Sequence, residues 1–210
     1  MKSALAVFLG LVALVVIVLL WGVRMNNKIV GLDQGVDAAW AQVQNVYQRR
    51  ADLIPNLVKT VEGAANFEKS TLTEVVNARA SVGKVQIDPS KAPTDPQKLQ
   101  QFQAAQDQLS SALSRLLVVV ERYPELKANR NFADLQAQLE GTENRISVER
   151  GRFNELTRDY NTYIKQFPGS VIAGFRNFHA KPYFQAVAGS EKPPEVNFNF
   201  GNSPKAATNR

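Results

Sequence analysis

His179 is the only histidine and cysteine is absent, so the side chains that most often carry acid–base, nucleophilic and metal chemistry are almost missing. A multi-histidine metal site within one chain, a thiol nucleophile, a disulfide framework and a lipidated cysteine are excluded together. No zinc-protease helix motif occurs, and neither does a phosphate loop of the form Gly-x-x-x-x-Gly-Lys-Ser/Thr or Gly-x-Gly-x-x-Gly. Glu62, Glu68, Glu143 and Glu149 are the carboxylates a helical bundle would gather into a metal site, but such sites use Glu-x-x-His pairs, which this chain lacks. His179 reads as an ordinary polar residue of a C-terminal turn. No catalytic, cofactor-binding or metal-ligating residue is assigned, no cofactor is expected, and the expectation is a protein that is not an enzyme. The net charge of +6 does not change this: basic and acidic residues interleave along the domain, which reads as a solvated helical surface and not a nucleic-acid stripe.

What remains is a set of elements built to hold one another. Residues 4–23 contain only Ala, Val, Leu, Ile, Phe, Gly and Trp, and as a helix they reach about 30 Å, the thickness of a bilayer core. Lys2 before an apolar run also suits a secretory signal, but the run exceeds the ~7–15 residues of a signal core and lacks a small-x-small cleavage pattern. A retained single-pass anchor over residues 1–25 is expected. About fourteen of its residues are Leu, Ile, Val or Phe, so insertion is favourable by several kcal/mol, and no polar residue interrupts it to suggest an ion path. Lys2 and the amine on one side face Arg24 and Lys28 on the other, a slight bias that leans towards a domain in the cytoplasm.

Residues 26–185 read as one helical domain and residues 186–210 as a flexible tail. Val36, Trp40, Val43, Tyr47, Ala51, Ile54, Leu57 and Val61 recur in steps of three and four, predicting a helix to about residue 62 that continues from the anchor, with a kink at Pro55. A turn follows with Asn66 as cap, then a short helix over residues 67–82 with Leu72, Val75, Val76, Arg79 and Val82 on one side, stopped by Gly83. Residues 85–94 form a Pro-containing loop. Asp95 and Pro96 start a third helix running to about Arg122, and Asn129 caps a fourth with Asp134 favouring its first turn. In that fourth helix Phe132, Leu139, Ile146, Phe153, Tyr160 and Phe167 stand seven apart, flanked by Leu135, Thr142, Glu149, Leu156 and Tyr163. Such a seam must pack on other helices at a shallow crossing angle. The fold class is all-α: a single N-terminal transmembrane helix followed by an elongated antiparallel up-down helical bundle.

A carboxylate in that seam needs a partner, and Glu149 is expected either to pair with Arg49, Arg50 or Arg79, or to be wet where the seam opens. After Phe167-Pro168-Gly169, a short helix is expected with Val171, Ile172, Phe175 and Phe178 inward and Tyr183-Phe184 as an aromatic lid. In the tail, residues 196–200 alternate like a strand that adds to a partner's sheet edge.

Two groups of residues resemble a known family. Trp40-Ala-Gln-Val-Gln, Gln48-Arg49-Arg50-Ala-Asp52-Leu53-Ile54-Pro55-Asn56-Leu57-Val58, Phe67-Glu68 and Asn77-Ala78-Arg79 form one. Thr142-Glu143-Asn144-Arg145-Ile146, Arg152-Phe153-Asn154, Tyr160-Asn161, Phe167-Pro168, Gly174-Phe175 and Lys181-Pro182-Tyr183-Phe184 form the other. Together they resemble the LemA family over most of residues 20–185. The resemblance implies a bacterial, membrane-anchored helical bundle in the cell membrane, acting as scaffold or adaptor for an envelope partner, with a membrane protease among the candidates and self-association open. It brings no catalytic residue. The alternative reading is a lipid-surface-binding or membrane-shaping helical protein whose basic residues lie along anionic headgroups.

Overall fold

The computed structural model describes residues 2–63 and 67–186, and every regular element among them is helical. In chain order these are α1 (Lys2–Glu62), α2 (Lys69–Lys84), α3 (Pro96–Val120), α4 (Pro124–Lys127), α5 (Arg130–Lys165) and α6 (Gly169–Arg176). The expected tail lies almost wholly outside the described residues, as do the strand-like residues 196–200 and the expected cap Asn66.

α1 is one helix of 61 residues, about 90 Å long, with no break at the expected boundary near residue 25. Its first part is exposed on every side and is long and apolar enough to cross a membrane. From Ile29 onward burial narrows to one face, through Val36, Trp40, Val43, Tyr47, Ile54, Leu57 and Val61. The helix continues through Pro55. Proline has no N–H to give the Ala51 carbonyl four residues earlier, and that carbonyl instead accepts from Arg79 Nε on α2 at 3.1 Å.

Local capping explains the other starts. Asp95 accepts from the Gln97 N–H at 2.8 Å with Pro96 in the first turn, and Asn129 accepts from the Asn131 and Phe132 N–H groups. Asp134 lies just past the first turn of α5 and does not act there. α2 begins at Lys69 without a side-chain cap; Glu68, just before it, accepts from Ser70 and pairs with Arg122. α2 also runs through Gly83 to Lys84, and its inner face is Leu72, Val75 and Ala78, leaving Val76 exposed. α3 ends at Val120, and the single turn α4, not foreseen, presses Leu126 into the core.

α1 and α5 are antiparallel: Met25 meets Tyr163 near the apolar end, and Arg50 meets Glu143 higher up. α3 runs parallel to α1, with Phe102 against Trp40 and Tyr47. α2 is antiparallel to α3, with Glu74 on Arg115 and Glu68 on Arg122. This is the expected up-down bundle with one substitution. The first descending leg is only partly helix, and the loop after α2 completes it, held where Trp40 Nε1 donates to the Asp88 carbonyl at 3.0 Å and the Ala92 N–H donates to Asp37 at 3.0 Å. Asn177, in the left-handed region at φ 58°, reverses the chain after α6, and residues 178–186 climb back as an extended strap.

The apolar interior is in two pieces. The distal one holds Ile54, Leu57, Val61, Leu72, Leu109, Leu116, Phe132 and Leu139; the one nearer the apolar stem holds Ile29, Trp40, Phe102, Ile146, Phe153, Tyr160 and Phe184. Five of the six heptad residues are buried, and Phe167, beyond the end of α5, is exposed. Val171 and Phe175 are also exposed, contrary to expectation; the inner face of α6 is Gly169, Ile172 and Ala173. Any side chain at position 169 would strike the Tyr163 carbonyl, so glycine there lets α6 press on the last turn of α5.

Candidate interaction site

Close backbone approach is concentrated within the pairs α1–α5 and α2–α3, which leaves α3 and α5 apart with a groove between them. Its stem-side stretch, about 550 Å³, is lined by Asp107, Ser110 and Ser111 of α3 and Glu143, Ser147, Arg150, Gly151 and Asn154 of α5, and closed below by Phe184 and Gln185 of the strap. The distal stretch, about 400 Å³, adds Leu113, Ser114 and Leu117 opposite Leu139, Glu140 and Asn144. These positions recur every three or four residues on both helices, so each presents one continuous stripe to the groove. The stripe mixes serines, Gly151 and asparagines with the charged Asp107, Glu140, Glu143 and Arg150, and leucines gather at the distal end.

Behind the lining residues Ser110 and Glu143 lies Arg50, sealed to 1% exposure between the two apolar cores. Its Nη1 donates to Glu143 Oε1 at 2.6 Å and to Ser110 Oγ at 2.7 Å, and its Nη2 donates to the Gln106 side-chain oxygen. The guanidinium also lies 5.1 Å from the centre of the Tyr47 ring. Arg50 thus ties α1 to α3 and α5 in one layer, the arrangement a planar donor fork suits and lysine does not. Glu143 keeps its side chain 39% exposed at the mouth of the groove. Burial pushes the Tyr47 phenol upward, only partly offset by Arg150 and Arg50.

The strap is bolted to the bundle by side-chain amides. Asn161 donates to the Lys181 carbonyl at 2.8 Å and accepts from its N–H at 2.9 Å; Asn154 does the same for Phe184 at 2.9 Å each, and Gln103 for Gln185. The match is metric. Seven helical residues from 154 to 161 rise about 10.5 Å, and three extended residues from 181 to 184 span about 10 Å. Phe184 then stacks on Trp40 with ring centres 6.1 Å apart and meets Phe153 edge-on at 5.5 Å. It is buried core, whereas Tyr183 stays partly exposed and its hydroxyl accepts from Asn161. The Lys181 ammonium, on a side chain only 6% exposed, bridges Asp33 and Asp37 of α1 at 2.7 Å each. Desolvation, with those two carboxylates adding, pushes the nearby Tyr160 phenol up to about 12. Its hydroxyl donates to the His179 carbonyl at 3.0 Å, while the His179 imidazole lies at the exposed surface.

The expected arginine partner for Glu149 is corrected here. Arg50 selects Glu143, which stands opposite it; Arg79 serves Ala51, Arg49 is exposed, and Glu149 is neither paired nor open to water at Oε2. Of the four carboxylates weighed for a metal, Glu68 and Glu143 are taken by arginines, and no group of three or more His, Asp or Glu suited to a metal occurs among the described residues. The amide bolts and the Lys181 bridge were not foreseen. The spacing of Asn154 and Asn161, seven apart beside the seam, is the one trace of the bolts in the sequence, and it was not read as such.

A stem long and apolar enough to cross a membrane, continuous with a two-core bundle stitched by a buried arginine and an amide-held strap, defines an elongated helical bundle protein. Residues 39–198 match the LemA family, and the chain belongs to that family. Among its relatives are magnetosome protein MamQ 2 of Paramagnetospirillum magneticum and magnetosome protein MamQ of Magnetospirillum gryphiswaldense, each 24% identical over 80% of this chain and 67% of the relative. Protein LemA of Metamycoplasma hominis is 22% identical over 78% of this chain and 70% of that protein.

Proposed function

We propose that this chain is a membrane-anchored, non-catalytic scaffold or adaptor that holds an envelope or membrane-protein partner in the groove between α3 and α5. The observation that carries the reading is the groove itself: an open stripe of serines, Gly151 and asparagines set among charged residues, with leucines at its distal end, in which Glu143, Arg150 and Asp107 are engaged in ion pairs that hold helices together. Such a surface offers shape and hydrogen bonds, and among the described residues none of its serines donates to a carboxylate or an imidazole that would act as a base. Residues 4–23 would hold the scaffold in the bacterial cell membrane, with the domain in the cytoplasm by the slight charge bias. A membrane protease is one partner class that suits a rod held upright beside the bilayer, and a second copy of the chain is another.

The test is in-cell crosslinking of the full-length chain with a photoreactive residue at Ser114 or Ser147, against Val76 on the outer face of α2. A defined adduct from the groove positions, absent at Val76 and lost when residues 4–23 are deleted, supports the reading. Equal capture at all three positions, or none in the groove, removes it.

A further inference from the structure

We propose that α6 is a second membrane-contacting element, its outer face lying in the lipid of the same bilayer that α1 crosses. The inference rests on the reading of residues 4–23 as the span and adds a second point of contact to it. The geometry is direct. A hollow of about 490 Å³ is lined mainly by apolar residues, Val18, Leu19, Gly22 and Val23 of α1 and Ile172 and Phe175 of α6, with Asn26 and Arg176 as its polar members. Ile172 Cδ1 comes within 4.0 Å of the place a Cβ on Gly22 would occupy.

Depth follows from helix rise. The apolar run ends at Val23, so Gly22 lies about 1.5 Å and Val18 about 8 Å inside the edge of the hydrocarbon. α6 therefore sits at the level where interfacial helices bury their apolar faces, roughly 5–10 Å into the headgroup and acyl boundary. Its sidedness agrees. Gly169 and Ala173 face the bundle, whereas Val171 is 46% exposed, Phe175 is 86% exposed and Phe167 just before the helix is 82% exposed. Those outward residues would be an apolar patch in water, and at this depth they are solvated by lipid.

The surrounding charges fit the same placement. Arg24 and Lys28 on α1, Lys165 at the end of α5 and Arg176 on α6 are all exposed at this end, within reach of anionic headgroups, with Trp21 at the boundary. The nearby acids are engaged: Asp33 and Asp37 hold Lys181, and Asp159 meets Arg158. A water-soluble partner would have to enter the bilayer edge to cover α6, and an apolar face at that depth needs no protein to cover it, which is why lipid is the occupant.

The chain has no cysteine, so single sites can be labelled without background. Full-length Phe175→Cys and Val171→Cys, with Leu14→Cys in the span and Val118→Cys on distal α3 as references, are spin-labelled and reconstituted in vesicles of phosphatidylethanolamine and phosphatidylglycerol. Collision with oxygen, which partitions into lipid, is compared with collision with a water-soluble nickel chelate. Positions 171 and 175 should shift towards oxygen and away from nickel, in the same sense as 14 and opposite to 118. Nickel access at 175 with 14 in lipid overturns the inference and leaves the span standing. Shielding of 175 from both reagents means a protein cover and overturns it as well. Nickel access at 14 removes the span reading, and this inference falls with it.

Discussion

Arg79→Met keeps the aliphatic stem of Arg79 and removes the one group that serves the Ala51 carbonyl, which Pro55 cannot. A hydrogen bond from a charged donor contributes about 1.5–3 kcal/mol when buried. Arg79 is exposed and Ala51 half-buried, so water replaces part of what is lost and the cost falls to about 1–1.5 kcal/mol. For a domain of this size that lowers Tm by roughly 3–5 °C. The decisive measurement is a double-mutant cycle, in which Pro55→Ala restores a backbone N–H for the same carbonyl. In that background Arg79→Met should cost no more than about 0.5 kcal/mol, giving a coupling near 1 kcal/mol between residues 24 positions apart. Urea unfolding of the four full-length chains in mild detergent, followed by helical circular dichroism, reads all of it. Equal costs in the two backgrounds would refute the reasoning, because Arg79 would then stabilise α2 for some other reason.

Glu143→Gln removes the charge opposite Arg50; with Glu143 39% exposed, the cost should stay near 1–3 kcal/mol, below the ~3–5 of a fully buried broken pair, and an unchanged urea midpoint would count against the layer. Lys181→Met leaves Asp33 and Asp37 facing each other without a cation, so amide exchange over residues 178–186 should accelerate while that of α2 and distal α3 does not; uniform acceleration would argue for global destabilisation instead. Phe184→Ala empties a ring site against Trp40 and Phe153 and should cost about 3–5 kcal/mol, with the emission of Trp40 shifting red. The Tyr160 phenol is raised to about 12 in the folded chain, so the fold favours its protonated form. That contribution is complete below the unfolded tyrosine pKa of about 10 and is lost as pH rises from there through about 12, a loss that Tyr160→Phe should flatten in alkaline unfolding curves.

The heptad from Phe132 to Tyr160 and the caps Asp95 and Asn129 were legible because they are local or strictly periodic, and the helices they define are the ones found. Periodicity gives a face but not an axial offset. That is why the seam pointed to Glu149 while Arg50 took Glu143, the carboxylate that antiparallel packing brings to its height. The strap was opaque for a related reason: residues 178–186 have no helical period, and their bonds run to single amides on two different helices. α6 misled in the opposite way. Val171 and Phe175 were read as inward because apolar residues usually face protein, but the inner positions are held by Gly169 and Ala173, whose small size lets the helix lie close to the end of α5.

The fastenings are not spread evenly along α1. Where it leaves the apolar stem it is held three times on different elements: by the contact of Tyr163 with Met25, by Ile172 beside Gly22, and by Lys181 on Asp33 and Asp37. Gly31 and Gly35 fall in the same stretch, where a helix is otherwise easiest to bend, and space is open around both, so nothing packs there to oppose bending. The clamps therefore do what side-chain packing at those glycines does not: they splint the junction from α5, α6 and the strap. Replacing both glycines with alanine should then leave the fold, and the helical circular dichroism that reports it, intact while stiffening α1 at the junction the three contacts brace.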